Sequence, residues 1–277
     1  MAYDFFLSLS GDECLGATNP SEVGLLASGL IIVVVVVYMF IKIRKIFLNS
    51  LGGGGNKVFR GVTQMYSKMI YSIEGNVGSG KSTLVEYLKN SVGGVWVKGK
   101  KLVFIEEPVA KWQEIGEGGK DIIELFYEDQ EKYSFSFQML AYITRLGEID
   151  AVVKENPDSI IISERCVYTD CNVFAKMLYD TGKIKSVEYQ IYNLWFSYFE
   201  KNLKAHRLIY LDIPPSTCDE RVKMRSRKGE DIPLEYLEMC DRYHREWLSG
   251  AGWDNILKLG EGESFAEMAE KVVDFII

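Results

Sequence analysis

From residue 69 onward the chain alternates between short, almost continuously apolar runs and longer stretches of helical period. The runs are Met69–Glu74, Leu102–Glu106, Ser159–Ser163, Arg207–Asp212 and Asn255–Leu259. Each is short and rich in Ile, Val, Leu and Tyr, which predicts strands. Between them, apolar residues recur every three or four positions around Glu131 to Val153, Val167 to Tyr179, Val187 to Leu203, Pro215 to Met224, Pro233 to Trp247 and Glu263 to Ile277. That spacing lays one apolar stripe along a helix. Strands without polar alternation are buried on both faces, and strands alternating with helices pair in parallel. The expected fold is α/β: a five-stranded parallel sheet flanked by helices, with no internal repeat.

Upstream the pattern differs. Val23 to Ile41 carries no charge and contains seven consecutive β-branched residues, Ile31 to Val37. Nineteen uncharged residues rising about 1.5 Å each just span a hydrocarbon core, where a helix satisfies its own backbone. Asp4, Asp12, Glu13 and Glu22 precede the run, and Lys42, Arg44 and Lys45 follow it. By the positive-inside rule this predicts a single-pass membrane protein whose C-terminal part faces the cytoplasm. Leu51 to Asn56, with four consecutive glycines, reads as a flexible linker. The expected division is a short acidic segment at 1–22, a transmembrane helix at 23–41, a basic and Gly-rich linker at 42–66 and a folded domain at 67–277.

Composition narrows the function. A formal net charge of -7 argues against a broad basic face that grips nucleic acid. Five cysteines without a C-x-x-C pair, and only two histidines, outline no zinc site and fit reduced thiols.

The strongest chemical signal follows the first strand. Gly75-Asn76-Val77-Gly78-Ser79-Gly80-Lys81-Ser82 has the form G-x-x-x-x-G-K-S, and an amphipathic helix opens at once with Ser82-Thr83-Leu84. Glycines let backbone N–H groups turn inward around phosphate oxygens, and the helix N-terminus adds partial positive charge. Lys81 is placed for the β- and γ-phosphates of ATP, and the Ser82 hydroxyl for Mg²⁺. In open α/β sheets ligands bind at the C-terminal ends of strands. There the chain carries Glu106-Glu107-Pro108 and Glu164-Arg165, and after a later helix Arg225-Ser226-Arg227. Phosphoryl transfer needs these parts: a carboxylate for the nucleophile, a metal carboxylate, and cations for developing charge.

From Tyr71 to the C-terminus the sequence resembles the deoxyribonucleoside kinases of the deoxycytidine, deoxyguanosine and mitochondrial thymidine kinase type. The resemblance rests on Glu74 to Thr83, Glu107-Pro108-Val109-Ala110-Lys111-Trp112, Tyr133 to Gln138, Glu164 to Asp170, Arg225-Ser226-Arg227 and Ile232 to Leu237. It implies a P-loop nucleoside kinase fold, ATP with Mg²⁺, a deoxynucleoside acceptor and a homodimer. It further implies that Glu107 takes the proton of the 5′-hydroxyl, Arg165 pairs with Glu107, and Glu164 with Ser82 holds Mg²⁺. Gln138 would read the base edge, Trp112, Phe126 and Phe174 would line the base, and Tyr127 with Glu230 would bind the 3′-hydroxyl. Arg221, Arg225 and Arg227 would cover the phosphates. Three departures stand out: Cys166 replaces the usual serine, and the stretches after Trp112 and after Arg227 are short. The last leaves Glu230 or Asp231 as the ribose partner, with Glu230 favoured by reach.

Arg145 and Asp170 match a pair that the resemblance associates with cytosine and purine substrates. A carboxylate held by arginine accepts from an exocyclic amine, whereas thymine offers only O4, at a cost of about 1–3 kcal/mol. The expected substrate is therefore deoxyadenosine, deoxycytidine or deoxyguanosine rather than thymidine. The alternatives are a nucleoside monophosphate kinase of the thymidylate kinase type and a membrane-tethered nucleotide-binding scaffold.

Overall fold

The structure is a computed structural model that describes residues 70–92, 96–97, 99–200, 206–250 and 256–277. Its centre is strand β1 (Ile70–Gly75), buried along its whole length. Helix α1 (Lys81–Val92) follows, then β2 (Trp96–Val97) and β3 (Lys100–Ile105). A helical stretch comes next: α2 (Val109–Gln113), a two-residue hairpin β4 (Gly116–Glu117) and β5 (Lys120–Asp121), α3 (Ile122–Glu128) and the long α4 (Gln130–Glu155). Strand β6 (Ile160–Glu164) leads into α5 (Val167–Thr169), a π-helical turn (Asp170–Ala175) and α6 (Lys176–Asp180). Helix α7 (Ser186–Glu200), β7 (His206–Asp212), α8 (Pro215–Arg225), α9 (Leu234–Ser249), β8 (Leu257–Gly260) and α10 (Phe265–Ile276) complete the order.

The sheet runs β2-β3-β6-β1-β7-β8. The five strands from β3 to β8 are parallel, as the apolar runs predict, and β2 adds a short antiparallel edge. Because β1 lies between β6 and β7, its C-terminal end is the point where the chain's connections diverge to opposite sides. That is where a doubly wound sheet opens a crevice. Ile73, Leu84, Leu88, Ile162, Ile209 and Leu259, all fully buried, belong to the core around this central strand.

Three expectations change. The helix expected over Val167 to Tyr179 is interrupted by the π-helical turn, which inserts an extra residue per turn and alters the facing of Asp170 and Phe174. The helices α2 and α3 and the hairpin between them lack a pattern long enough to announce them. Most consequentially, the membrane-spanning helix is withdrawn: among the described residues no helix is long and apolar enough to cross a membrane. Helix α4 has the length, at 26 residues, but carries Glu131, Lys132, Arg145, Glu148, Asp150, Lys154 and Glu155. Val23 to Ile41 and the linker at 42–66 lie outside the described residues, as do Lys201 to Leu203 at the end of the helix expected from Val187.

Candidate active site

The chain leaves β1 through a loop that only glycine can make. Gly75, Gly78 and Gly80 have φ of 146°, 80° and 98°, a region that L side chains rarely adopt. A Cβ on Gly78 would also lie 2.4 Å from the Cys218 carbonyl oxygen. The loop is pinned from behind: Asn76 Nδ2 donates to the Leu237 carbonyl at 2.8 Å, and Arg221 Nη1 donates to the Ser79 carbonyl at 3.0 Å. Lys81 Nζ donates back to the Asn76 carbonyl at 2.6 Å. Burial, together with nearby Arg165, draws its pKa down to about 7 against the pull of Glu164 and Glu107. A lysine so desolvated is prepared for polyanionic oxygens.

Opposite the loop stand three strand-end side chains. Ser82 Oγ donates to Glu164 Oε1 at 2.8 Å. Burial raises the Glu164 carboxyl, Glu107 raises it further, and Lys81, Ser82 and Arg165 oppose them. For Glu107, burial alone would raise the pKa, but Arg145, Arg165 and Lys81 outweigh it and hold the group down to about 2. Arg145 Nη2 donates to Glu107 Oε1 at 2.8 Å, and Arg165 Nε lies 3.4 Å from the same oxygen. Arg165 has φ 62°, unusual for a side-chain-bearing residue. It is held there by its N–H on the Ile73 carbonyl and its Nη1 on the Gly75 carbonyl, both at 3.0 Å. Its guanidinium sits 4.9 Å over the Phe174 ring.

A second end of the cleft is aromatic. Trp112 is buried, with its indole N–H on Thr144 Oγ1 at 2.9 Å. Phe137 packs edge-on against Trp112 at 5.5 Å and tilted against Phe126 at 4.9 Å. Gln138 is buried, and its Oε1 has no hydrogen-bond partner among the described residues. Arg145 turns its other two nitrogens to Asp170 Oδ2 (Nε, 2.9 Å) and the Glu164 carbonyl (Nη1, 2.9 Å). Burial raises the Asp170 carboxyl, and Arg145 opposes it.

One cleft of about 1000 Å³ joins these parts. It is lined by Val77, Gly78, Gly80, Lys81, Ser82 and Thr83 on the phosphate-loop side, and by Glu107, Glu164, Arg165, Arg145 and Asp170 in the middle. Trp112, Phe126, Tyr127, Gln138 and Phe174 close one end, and Arg221, Arg225, Arg227 and Glu230 roof it. Gly75, Asn76 and Ser79 do not reach the cleft; they shape the loop from behind. Asp231 is exposed outside the cleft, so Glu230 is the carboxylate that enters. Sequence reasoning missed Val109, Ile123, Phe137, Ala141, Tyr236 and Phe265, which also line it. Phe137 and Ala141 flank Gln138 one turn apart on α4, a spacing that reads as core packing. Phe265 follows the last strand, with Cζ 3.5 Å from a Cβ placed on Gly80 and its ring stacked on Tyr87.

A phosphate cradle, a half-buried ionised carboxylate and several converging cations at one sheet end define a P-loop phosphotransferase. Residues 71–276 match the sequence profile of the deoxynucleoside kinases, and the chain belongs to that family. The chain is similar to human deoxycytidine kinase, 33% identical over 199 residues, which covers 64% of this chain and 74% of that protein. It is 32% identical over 240 residues to deoxycytidine kinase of Bos taurus, covering 74% and 90%. Mitochondrial thymidine kinase 2 of Macaca fascicularis is 30% identical over 206 residues, covering 71% and 73%. The chain is thus a kinase of deoxynucleosides. The expected cytoplasm-facing anchor is set aside with the spanning helix.

Proposed function

We propose that the enzyme, through residues 67–277, moves the γ-phosphate of ATP to the 5′-hydroxyl of deoxycytidine, deoxyadenosine or deoxyguanosine in preference to thymidine. The observation that carries this reading is the buried Arg145–Asp170 pair in the cleft wall. Asp170 keeps acceptor capacity beyond the oxygen that Arg145 holds, and an exocyclic amine satisfies it. Gln138 presents an amide to the base edge, and Trp112, Phe126, Phe137 and Phe174 enclose the ring. Tyr127 and Glu230 receive the 3′-hydroxyl.

Glu107 orients the 5′-hydroxyl and takes its proton as the new bond to the γ-phosphorus forms and the bond from that phosphorus to the bridging oxygen breaks, releasing ADP. Arg165, Lys81, Arg225 and Arg227 offset charge on the phosphoryl oxygens, and the loop backbone at Val77, Gly78 and Gly80 to Thr83 cradles the donor, with Arg221 and Phe265 on its outer side. Ser82 and Glu164 are hard oxygen donors that fit Mg²⁺. Among the described residues no three His, Cys, Asp or Glu side chains could hold a metal together, which fits an ion that binds jointly with phosphates. When bound, Mg²⁺ supplies positive charge beside the transferring group.

A second copy of the chain completes the proposal. On α7, Val187, Ile191, Leu194 and Tyr198 are exposed at helical spacing, and Ile143 is exposed on neighbouring α4. Such a stripe suits a two-fold homodimer.

Initial rates with ATP and each of the four deoxynucleosides test the substrate reading. The expected order puts thymidine last in kcat/KM; thymidine first would overturn it. Faster turnover of deoxynucleoside monophosphates would instead favour the monophosphate kinase alternative.

A further inference from the structure

Glu230 stands where the sugar and the donor phosphates meet in the proposed site. Its side chain is only 6% exposed, and each of its oxygens is taken by a different arginine: Oε2 by Arg225 Nη2 at 2.5 Å and Oε1 by Arg227 Nη1 at 2.9 Å. All three residues line the cleft. The arginines are the cations for the donor's phosphates, whereas the carboxylate is the acceptor for the sugar.

The backbone around this triad is pinned. Ser226 sits left-handed at φ 48° between the two arginines. Gly229 packs so closely on α3 that a Cβ there would lie 2.2 Å from Glu124 Cγ, and Lys228 pairs with Glu124 at 3.0 Å. A change of partners at Glu230 is therefore a side-chain event that leaves the segment in place.

We infer that Glu230 is a positioning residue that couples the two substrates: it holds the arginines away from the donor until the sugar 3′-hydroxyl takes over one of its oxygens. This rests on the proposed site, with the sugar beside Tyr127 and Glu230. Neither ligand makes the exchange efficiently alone. A neutral hydroxyl is a weaker partner for a carboxylate than a guanidinium. Phosphate oxygens compete well for an arginine, but they leave the buried Glu230 carboxylate with less compensation. With both present, each arginine and each carboxylate oxygen has a partner. Two ligands that each relieve the other's cost bind with positive and reciprocal coupling.

The test is the Kd of the full chain for a non-hydrolysable ATP analogue with Mg²⁺, alone and with saturating deoxycytidine or 2′,3′-dideoxycytidine. In the unaltered protein, deoxycytidine should tighten the analogue by about tenfold, within the usual range of coupling. Dideoxycytidine lacks the hydroxyl and should tighten it less than about twofold. In Glu230→Gln, which keeps shape but holds arginine weakly, the analogue should already bind more tightly without nucleoside, and the coupling should disappear. Equal coupling by the two nucleosides, or full coupling in Glu230→Gln, overturns the inference. The inference and the underlying site fail differently. No binding of any deoxynucleoside removes the site itself, while normal nucleoside binding without coupling removes only the exchange.

Discussion

The role proposed for Glu107 does not call for a strong base. At a pKa of about 2 the carboxylate is ionised at every physiological pH. Arg145 and Arg165 fix the orientation of one oxygen, and in the proposed mechanism the hydroxyl proton would move late, when the attacking oxygen has become acidic. Glu107→Gln keeps the shape but not the acceptor. We expect kcat to fall by about 10²–10⁴ with nucleoside binding little changed. A loss below about fivefold in steady-state rates would remove the assignment. Lys81 gives the pH dependence. Its pKa near 7 in the ligand-free protein is set by burial and Arg165, and donor phosphates would raise it. A group whose pKa rises on binding makes binding strongest at low pH and weaker as pH climbs above the ligand-free value. The Kd of an ATP analogue should therefore be flat below pH 7 and weaken towards pH 9, by at most about tenfold per unit. Calorimetry in buffers of different ionisation enthalpy should show proton uptake at pH 8; no uptake would mean that Lys81 stays charged without ligand.

At the scale of elements, the sequence was legible where a pattern repeats. The parallel strands and the phosphate loop follow from apolar runs and from glycine spacing, because those signals are local. The π-helical turn was not legible, since its period differs from an α-helix by a single residue over one turn. Yet this turn places Asp170 and Phe174 together on the cleft wall. The three-way role of Arg145 was equally hidden. Asp170, Glu107 and the Glu164 carbonyl meet it only through tertiary contact, so the pair read from sequence was part of a larger network. The roof was half visible: Arg225 and Arg227 stood out as a motif, but their capture by Glu230 did not. Deleting Asn172 tests the turn. It would restore α-helical register and rotate the following residues by about 100°. Nucleoside affinity should fall by more than about tenfold while the ATP analogue binds within about threefold of normal. Unchanged nucleoside binding would show that the π register serves packing alone. The phosphate loop offers the reverse outcome. Gly78→Ala forces a Cβ into the Cys218 carbonyl at 2.4 Å, and should cost about 1–3 kcal/mol of stability in denaturant titration as well as donor binding.

For the whole molecule, α4 joins the cleft to the exposed apolar stripe of the proposed dimer. Gln138 and Arg145 line the cleft, while Ile143 on the same helix is exposed beside α7. Along α7, Val187 is 68% exposed, Leu194 70% and Tyr198 61%. So many large apolar side chains on one stripe favour a covering partner, and a two-fold axis lets the stripe cover itself. In such an isologous contact every substitution appears twice. Leu194→Asp would place two carboxylates in the apolar seam, where each loses hydration without gaining a cation. Sedimentation velocity should give about twice the 31.5 kDa chain mass for the unaltered protein and the single-chain mass for the variant. The cleft of the variant remains whole, since Leu194 is not among its lining residues. Kinase activity should therefore survive in the monomer, with a lowered Tm. An unaltered protein that sediments as a monomer at micromolar concentration would dismiss the dimer and leave the stripe in need of another partner.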